Sequence, residues 1–127
     1  MSDVFSIVTT GGADDALEPH LEARRVVAAP CRGLARDVVE IAQLLTSELV
    51  KHASHHGAGS IRVEVTLSES ALRIVVHDDG AADTHRAAVD PRSIYGRGLM
   101  LVESLAARWG VTPHADGKRI WFELRTA

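Results

Sequence analysis

Glu48 and His52 sit one helical turn apart in a segment whose apolar residues Val38, Ile41, Leu45 and Leu49 recur at three- and four-residue steps. At about 100° per residue, Ile41 lies about 20° from Glu48, Leu44 about 40° to the other side, Leu45 about 60° away and His52 about 40° away. Both polar side chains are therefore expected inside the core-facing stripe. An ionised carboxylate there is costly unless something pairs with it, and a sunken acid is a candidate general base. The plainer alternative is that the end of the helix leaves both partly solvated.

Two further places invite chemistry. Asp78 continues the parity of Leu72, Ile74 and Val76 and so points to the buried face, while Asp79 points away. Gly80 follows at once and allows a close backbone approach to a ligand or a positive φ, although Asp-Asp-Gly by itself is also an ordinary turn. Gly96 and Gly98 open a helical pattern, where free N–H groups and the positive end of the helix dipole can hold phosphate oxygens. A loop rather than a strand precedes them and no third glycine follows at the required spacing, so the motif is not a dinucleotide fingerprint.

Glu48, His52 and His55 share one helix face at i, i+4 and i+7, a spacing that can present metal ligands together, with no fourth ligand located. His77 and Asp78 alternate along a strand and face opposite sides, which argues against a catalytic dyad. His20, His85 and His114 read as surface residues, and the single cysteine, Cys31, reads as structural.

The elements that must position these groups follow from periodicity. Val4 to Thr9 reads as a first strand. Asp14 and Asp15 precede a helical pattern through Leu17, Leu21, Val27 and Ala28, interrupted by Pro30 and Gly33. A long helix covers Leu34 to Ala53, and Ile61 to Leu67 with Leu72 to Val76 form a hairpin around Ser68-Glu69-Ser70. Ala81 to Tyr95 has no period and reads as a long mobile loop. A helix with Leu99, Val102, Leu105, Ala106 and Trp109 on its apolar side is expected to close at Gly110, before strands at Val111 to Pro113 and Ile120 to Leu124. That order predicts three helices on one face of a largely antiparallel sheet.

Bulk composition narrows the function classes. A chain of 127 residues that is 46% apolar suits one domain, 1–127, with one core. A net charge of −3 supplies no basic surface for nucleic acid. The lone thiol suits a reducing compartment, and no apolar run reaches the length of a membrane span, so a soluble cytoplasmic protein is expected.

In combination, Glu48-Leu49-Val50-Lys51-His52-Ala53 with His56-Gly57, then Val76-His77-Asp78-Asp79-Gly80, then Gly96-Arg97-Gly98-Leu99, resemble the N, G1 and G2 boxes of the GHKL ATPases. Gly117 to Leu124 resembles the last hairpin of the anti-sigma-factor serine-kinase branch of that family. The resemblance covers nearly the whole chain. It implies an α+β, two-layer sandwich with three helices on one face of a mixed, mostly antiparallel five-stranded sheet, the Bergerat fold. It also implies an ATP-binding regulator that exchanges between a sigma factor and an anti-anti-sigma protein of STAS type, and a homodimer by analogy with relatives.

Carried over residue by residue, the resemblance makes Asp78 the acceptor of the adenine amino group and Gly80 the space for the base. Gly96, Arg97, Gly98 and Leu99 would form the phosphate cradle, Ala81 to Tyr95 the lid over ATP, and Glu48 the general base. Position 52, where the family holds Mg²⁺ through an Asn oxygen, carries His52, and imidazole is a poor Mg²⁺ ligand. Ala82 replaces a lid-hinge glycine, and Lys118-Arg119 lies near where many relatives have a threonine that supports the adenine-binding Asp. These departures leave open a second function, a degenerate partner-binding module that keeps the fold without turnover.

Overall fold

The computed structural model describes residues 2–9, 19–56, 59–78, 99–114 and 117–126. In chain order these form β1 (Ser2–Thr9), α1 (Pro19–Ala28), α2 (Arg36–His56), β2 (Gly59–Leu67), β3 (Ala71–Asp78), a short helix α3 over 99–105, β4 (Arg108–His114) and β5 (Gly117–Arg125).

Pro19 opens α1, where its fixed φ suits the first turn and its missing N–H leaves no helical bond unmade. Ala23 and Val27, four residues apart, bury the same face. The chain then turns tightly: Cys31 N donates to Ala28 O at 3.2 Å, Leu34 N donates to Cys31 O at 3.1 Å, and Gly33 takes a φ of 89° that favours glycine. Cys31 is fully buried in this turn, and burial pushes its thiol above its ordinary pKa, which fits a structural role.

α2 is the central helix, and its buried positions are Ala42, Leu45, Thr46, Ser47, Leu49, Val50 and Ala53. That arc departs from expectation. Ile41, Leu44 and Glu48 are only half-buried, so Glu48 flanks the buried stripe instead of lying within it. The physical reason is the small side chains of Ala42, Thr46 and Ala53, which allow close packing on their side of the helix and turn the bulkier Ile41–Leu44 side toward the border.

β2 and β3 form the expected hairpin, with Val63 opposite Val76, Val65 opposite Ile74 and Leu67 opposite Leu72. Its turn is closed by Ser68 N donating to Ala71 O at 2.9 Å. β3 alternates between half-buried and buried residues along its whole length. The inward side chains of β2, β3 and β5 join α1, α2, Leu99 and Val102 of α3 and Cys31 in one core cluster.

The sheet order is β1-β2-β3-β5-β4, and every neighbouring pair is antiparallel. The mixed sheet implied by the resemblance is therefore corrected to an antiparallel one among the described residues. β5 is inserted between β3 and β4 and pairs antiparallel with both. β3 and β4 consequently run the same way, linked through α3, without touching as a parallel pair.

The last helix is also shorter than its apolar period suggested. Ala106 N still donates to Val102 O at 2.9 Å, but Ala107 N donates to Glu123 O at 2.8 Å, and β4 begins at once. Leu105 is exposed, while Trp109 and Val111 alternate on the inner face of β4 opposite Phe122 and Ile120. Apolar residues at 102, 105, 106 and 109 satisfy a helical period, and 109 with 111 satisfies the strand period equally well.

Gly110 is thus a strand residue, paired with Trp121. A Cβ there would lie 2.6 Å from the Trp121 Nε1 atom, so the indole occupies the space a side chain would need. We expect Gly110→Ala to destabilise the fold by about 1–3 kcal/mol in chemical denaturation, the usual cost of overpacking. The loss should shrink when Trp121 is also replaced by Val.

On the outer sheet face Trp121 carries the Arg73 guanidinium 4.2 Å from its ring centroid, and Arg73 also pairs with Glu123 at 3.0 Å. Among the described residues no helix is long and apolar enough to cross a membrane.

Candidate functional site

Asp78 is the last residue of β3, and the unbroken alternation of that strand turns its carboxylate inward, where the residue is 7% exposed. An ionised side chain at such a depth requires a partner. The partner comes from β5: Lys118 stands directly opposite in the ladder, its side chain 1% exposed, with Nζ 3.1 Å from Asp78 Oδ2. Both members of the pair are shut away from water at the same end of the sheet. Surface ion pairs elsewhere on the sheet, such as Arg62 with Glu64 at 3.2 Å, have water to solvate them and are worth little.

A buried ion pair is weak evidence for stability, because well-packed apolar residues of similar volume usually do as well.

His77, the neighbour of Asp78, faces the opposite side of the sheet and contacts Glu64. Burial depresses the His77 ring below its ordinary pKa, outweighing the upward pull of Glu64. His77 and Asp78 do not form a dyad.

Glu48 lies two turns before the end of α2 and is half-buried. His52 is in α2 one turn later, and its side chain lies outside the described residues. The side chains of His55 and His56 lie outside them as well. Among the described residues no group of three or more His, Cys, Asp or Glu side chains is arranged to hold a metal ion.

Gly80, Gly96, Arg97, Gly98 and the expected lid from 81 to 95 also lie outside the described residues. Leu99, the first described residue of α3, is fully buried in the core. Its side chain is a packing group, and any contact it makes with a ligand would come through its backbone.

Lys118, noted in the sequence only as part of a departure from the family's pattern, is the residue whose burial and pairing with Asp78 the sequence reading does not reach. The signal was present: Lys118, Ile120, Phe122 and Leu124 share one parity, and all four are buried. A lysine in phase with three inward apolar residues has to find an acid, and Asp78 sits at the corresponding end of the adjacent strand.

The model of a family described as histidine kinase-like ATPase domain matches residues 15–124. No curated protein matches the chain.

Proposed function

The chain belongs to the histidine kinase-like ATPase domain family, and on that premise we propose that it is an ATP-binding regulator of the anti-sigma-factor serine-kinase type, built on a five-stranded Bergerat sandwich. The observation that supports this reading is the inward, buried carboxylate of Asp78 at the end of β3, the position to which the family resemblance assigns the acceptor of the adenine amino group. In this reading the resemblance assigns the space for the base to Gly80 and the phosphate cradle to Gly96, Arg97 and Gly98.

Glu48 acts as the general base. The serine hydroxyl of an antagonist protein attacks the γ-phosphorus, its proton passes to the Glu48 carboxylate, the new oxygen–phosphorus bond forms, and the bond to the β-phosphate bridging oxygen breaks to leave ADP. Partners of this type are a sigma factor and an anti-anti-sigma protein, with ATP and phosphorylation deciding which one is held. The imidazole of His52 does not fit Mg²⁺, which takes oxygen ligands, so no step is assigned to a metal at that position.

A second reading, a partner-binding module without turnover, is favoured by His52 and by the lysine placed against Asp78. Calorimetric titration of ATP with and without magnesium separates the two. The kinase reading expects saturable heat with ATP, the module reading expects weak or no heat with magnesium–ATP, and no heat with either form of ATP would overturn ATP binding altogether.

A further inference from the structure

We propose that the outer face of the sheet, centred on Trp121, docks an acidic segment of a partner protein, whose carboxylates meet a rim of arginines while an apolar side chain rests on Trp121 and Val75. The inference concerns the face opposite the helices and does not depend on nucleotide binding.

Strand parity defines this face. The inward residues of β3 and β5 are buried with α1 and α2 in the core, so the alternate positions lie on the other side. The ladders place Arg62 of β2, Arg73 of β3, Arg119 and Arg125 of β5 and Arg108 of β4 there. Glu64 and Glu123 are the two acids among the described residues on these strands that share it. Five arginines against two glutamates give the face a surplus of positive charge, on a chain whose overall balance is −3. A local excess opposite in sign to the whole molecule steers and orients an acidic partner.

The centre of the face is apolar and already held in place. Val75 stands directly opposite Trp121 in the β3–β5 ladder, and both are half-buried. The indole fills the space above Gly110, so its orientation is fixed by backbone. The Arg73 guanidinium lies 4.2 Å from the ring centroid and that of Arg108 5.8 Å, with Glu123 contacting Arg73 at 3.0 Å and Arg108 at 3.7 Å. An apolar centre with a charged rim is the anatomy of a protein interface, and tryptophan and arginine are the residues that most often carry its binding energy. A stack ordered before the partner arrives also lowers the entropy lost on binding.

Charge decides the occupant. A second copy of the chain packed face to face would set one positive surplus against another. A nucleic-acid backbone is a continuous polyanion and would be forced past Glu64 and Glu123, whereas carboxylates on a polypeptide are discrete and can be spaced between them. Solvated pairs such as Arg62 with Glu64, where the Arg62 side chain is 50% exposed, exchange partners at little cost.

The test uses the Trp109→Phe protein, in which Trp121 is the one remaining indole of the chain, so that its emission reports on this face. A short peptide of Glu-Glu-Leu repeats should shift the emission saturably and bind at least about tenfold more tightly than the matching Gln-Gln-Leu peptide. Replacing the two exposed arginines, Arg62→Ser with Arg108→Ser, should weaken binding of the acidic peptide by about tenfold or more. Anisotropy of the labelled peptides with the wild-type chain repeats the comparison without any variant. Absence of saturable binding, equal affinity for the two peptides, or unchanged affinity in the double arginine variant overturns the proposal. A thymidine oligonucleotide that binds this face as tightly as the acidic peptide overturns it in favour of nucleic acid. A peptide-independent emission shift that tracks self-association in sedimentation overturns it in favour of a second copy. Each outcome is read without nucleotide, so the ATP titration stands or falls separately.

Discussion

Asp78→Asn is expected to abolish nucleotide binding and to lower folding stability by about 3–5 kcal/mol, because the amide removes the charge that balances a fully buried ammonium. Asparagine has nearly the shape of aspartate, so packing around position 78 is preserved and the loss isolates the electrostatic partnership. The double variant Asp78→Asn with Lys118→Met should recover most of that stability, since it leaves no unpaired charge, while nucleotide binding stays absent. Urea denaturation of the wild type, both single variants and the double variant completes the cycle. A pair worth nothing would show additive losses, and the interaction between these positions would then have no energetic content.

Glu48→Gln carries the second large effect. If Glu48 takes the serine proton, the amide cannot, and phosphoryl transfer to a serine-containing antagonist should fall by about 10²- to 10⁴-fold. Nucleotide affinity should hardly change, because the proposal gives Glu48 a part in proton removal and none in holding the base. Single-turnover transfer of labelled phosphate, measured at saturating ATP, checks this. Loss of affinity with unchanged transfer would reverse the assignment and make Glu48 a binding residue.

Much of this architecture can be read from periodicity, and the exceptions have physical causes. The inward turn of Asp78 follows from parity alone, because Leu72, Ile74 and Val76 bury the same face and a strand cannot change sides without a bulge. The central helix and the hairpin are equally direct, since each shows one period over many residues. Arg108 to Gly110 were harder: Trp109 fits the helix before it and the strand that contains it, and only the bond from Ala107 N to Glu123 O decides between them. That is a tertiary contact, invisible in local sequence. Glu48 was placed too deep for a similar reason, as a hydrophobic count gives weight to Ile41 and Leu44, while packing favours the small residues Ala42, Thr46 and Ala53.

The Lys118 pairing shows the limit most clearly. Parity along β5 predicts that its side chain faces inward, but its partner is set by the β3–β5 register, which joins residues forty positions apart in the chain.

A crystal structure of the protein with ADP would test the central claim most directly. The account predicts the adenine amino nitrogen within hydrogen-bonding distance of the Asp78 carboxylate, at the end of β3. Adenine bound elsewhere on the chain, or an Asp78 carboxylate directed away from the base, would contradict it.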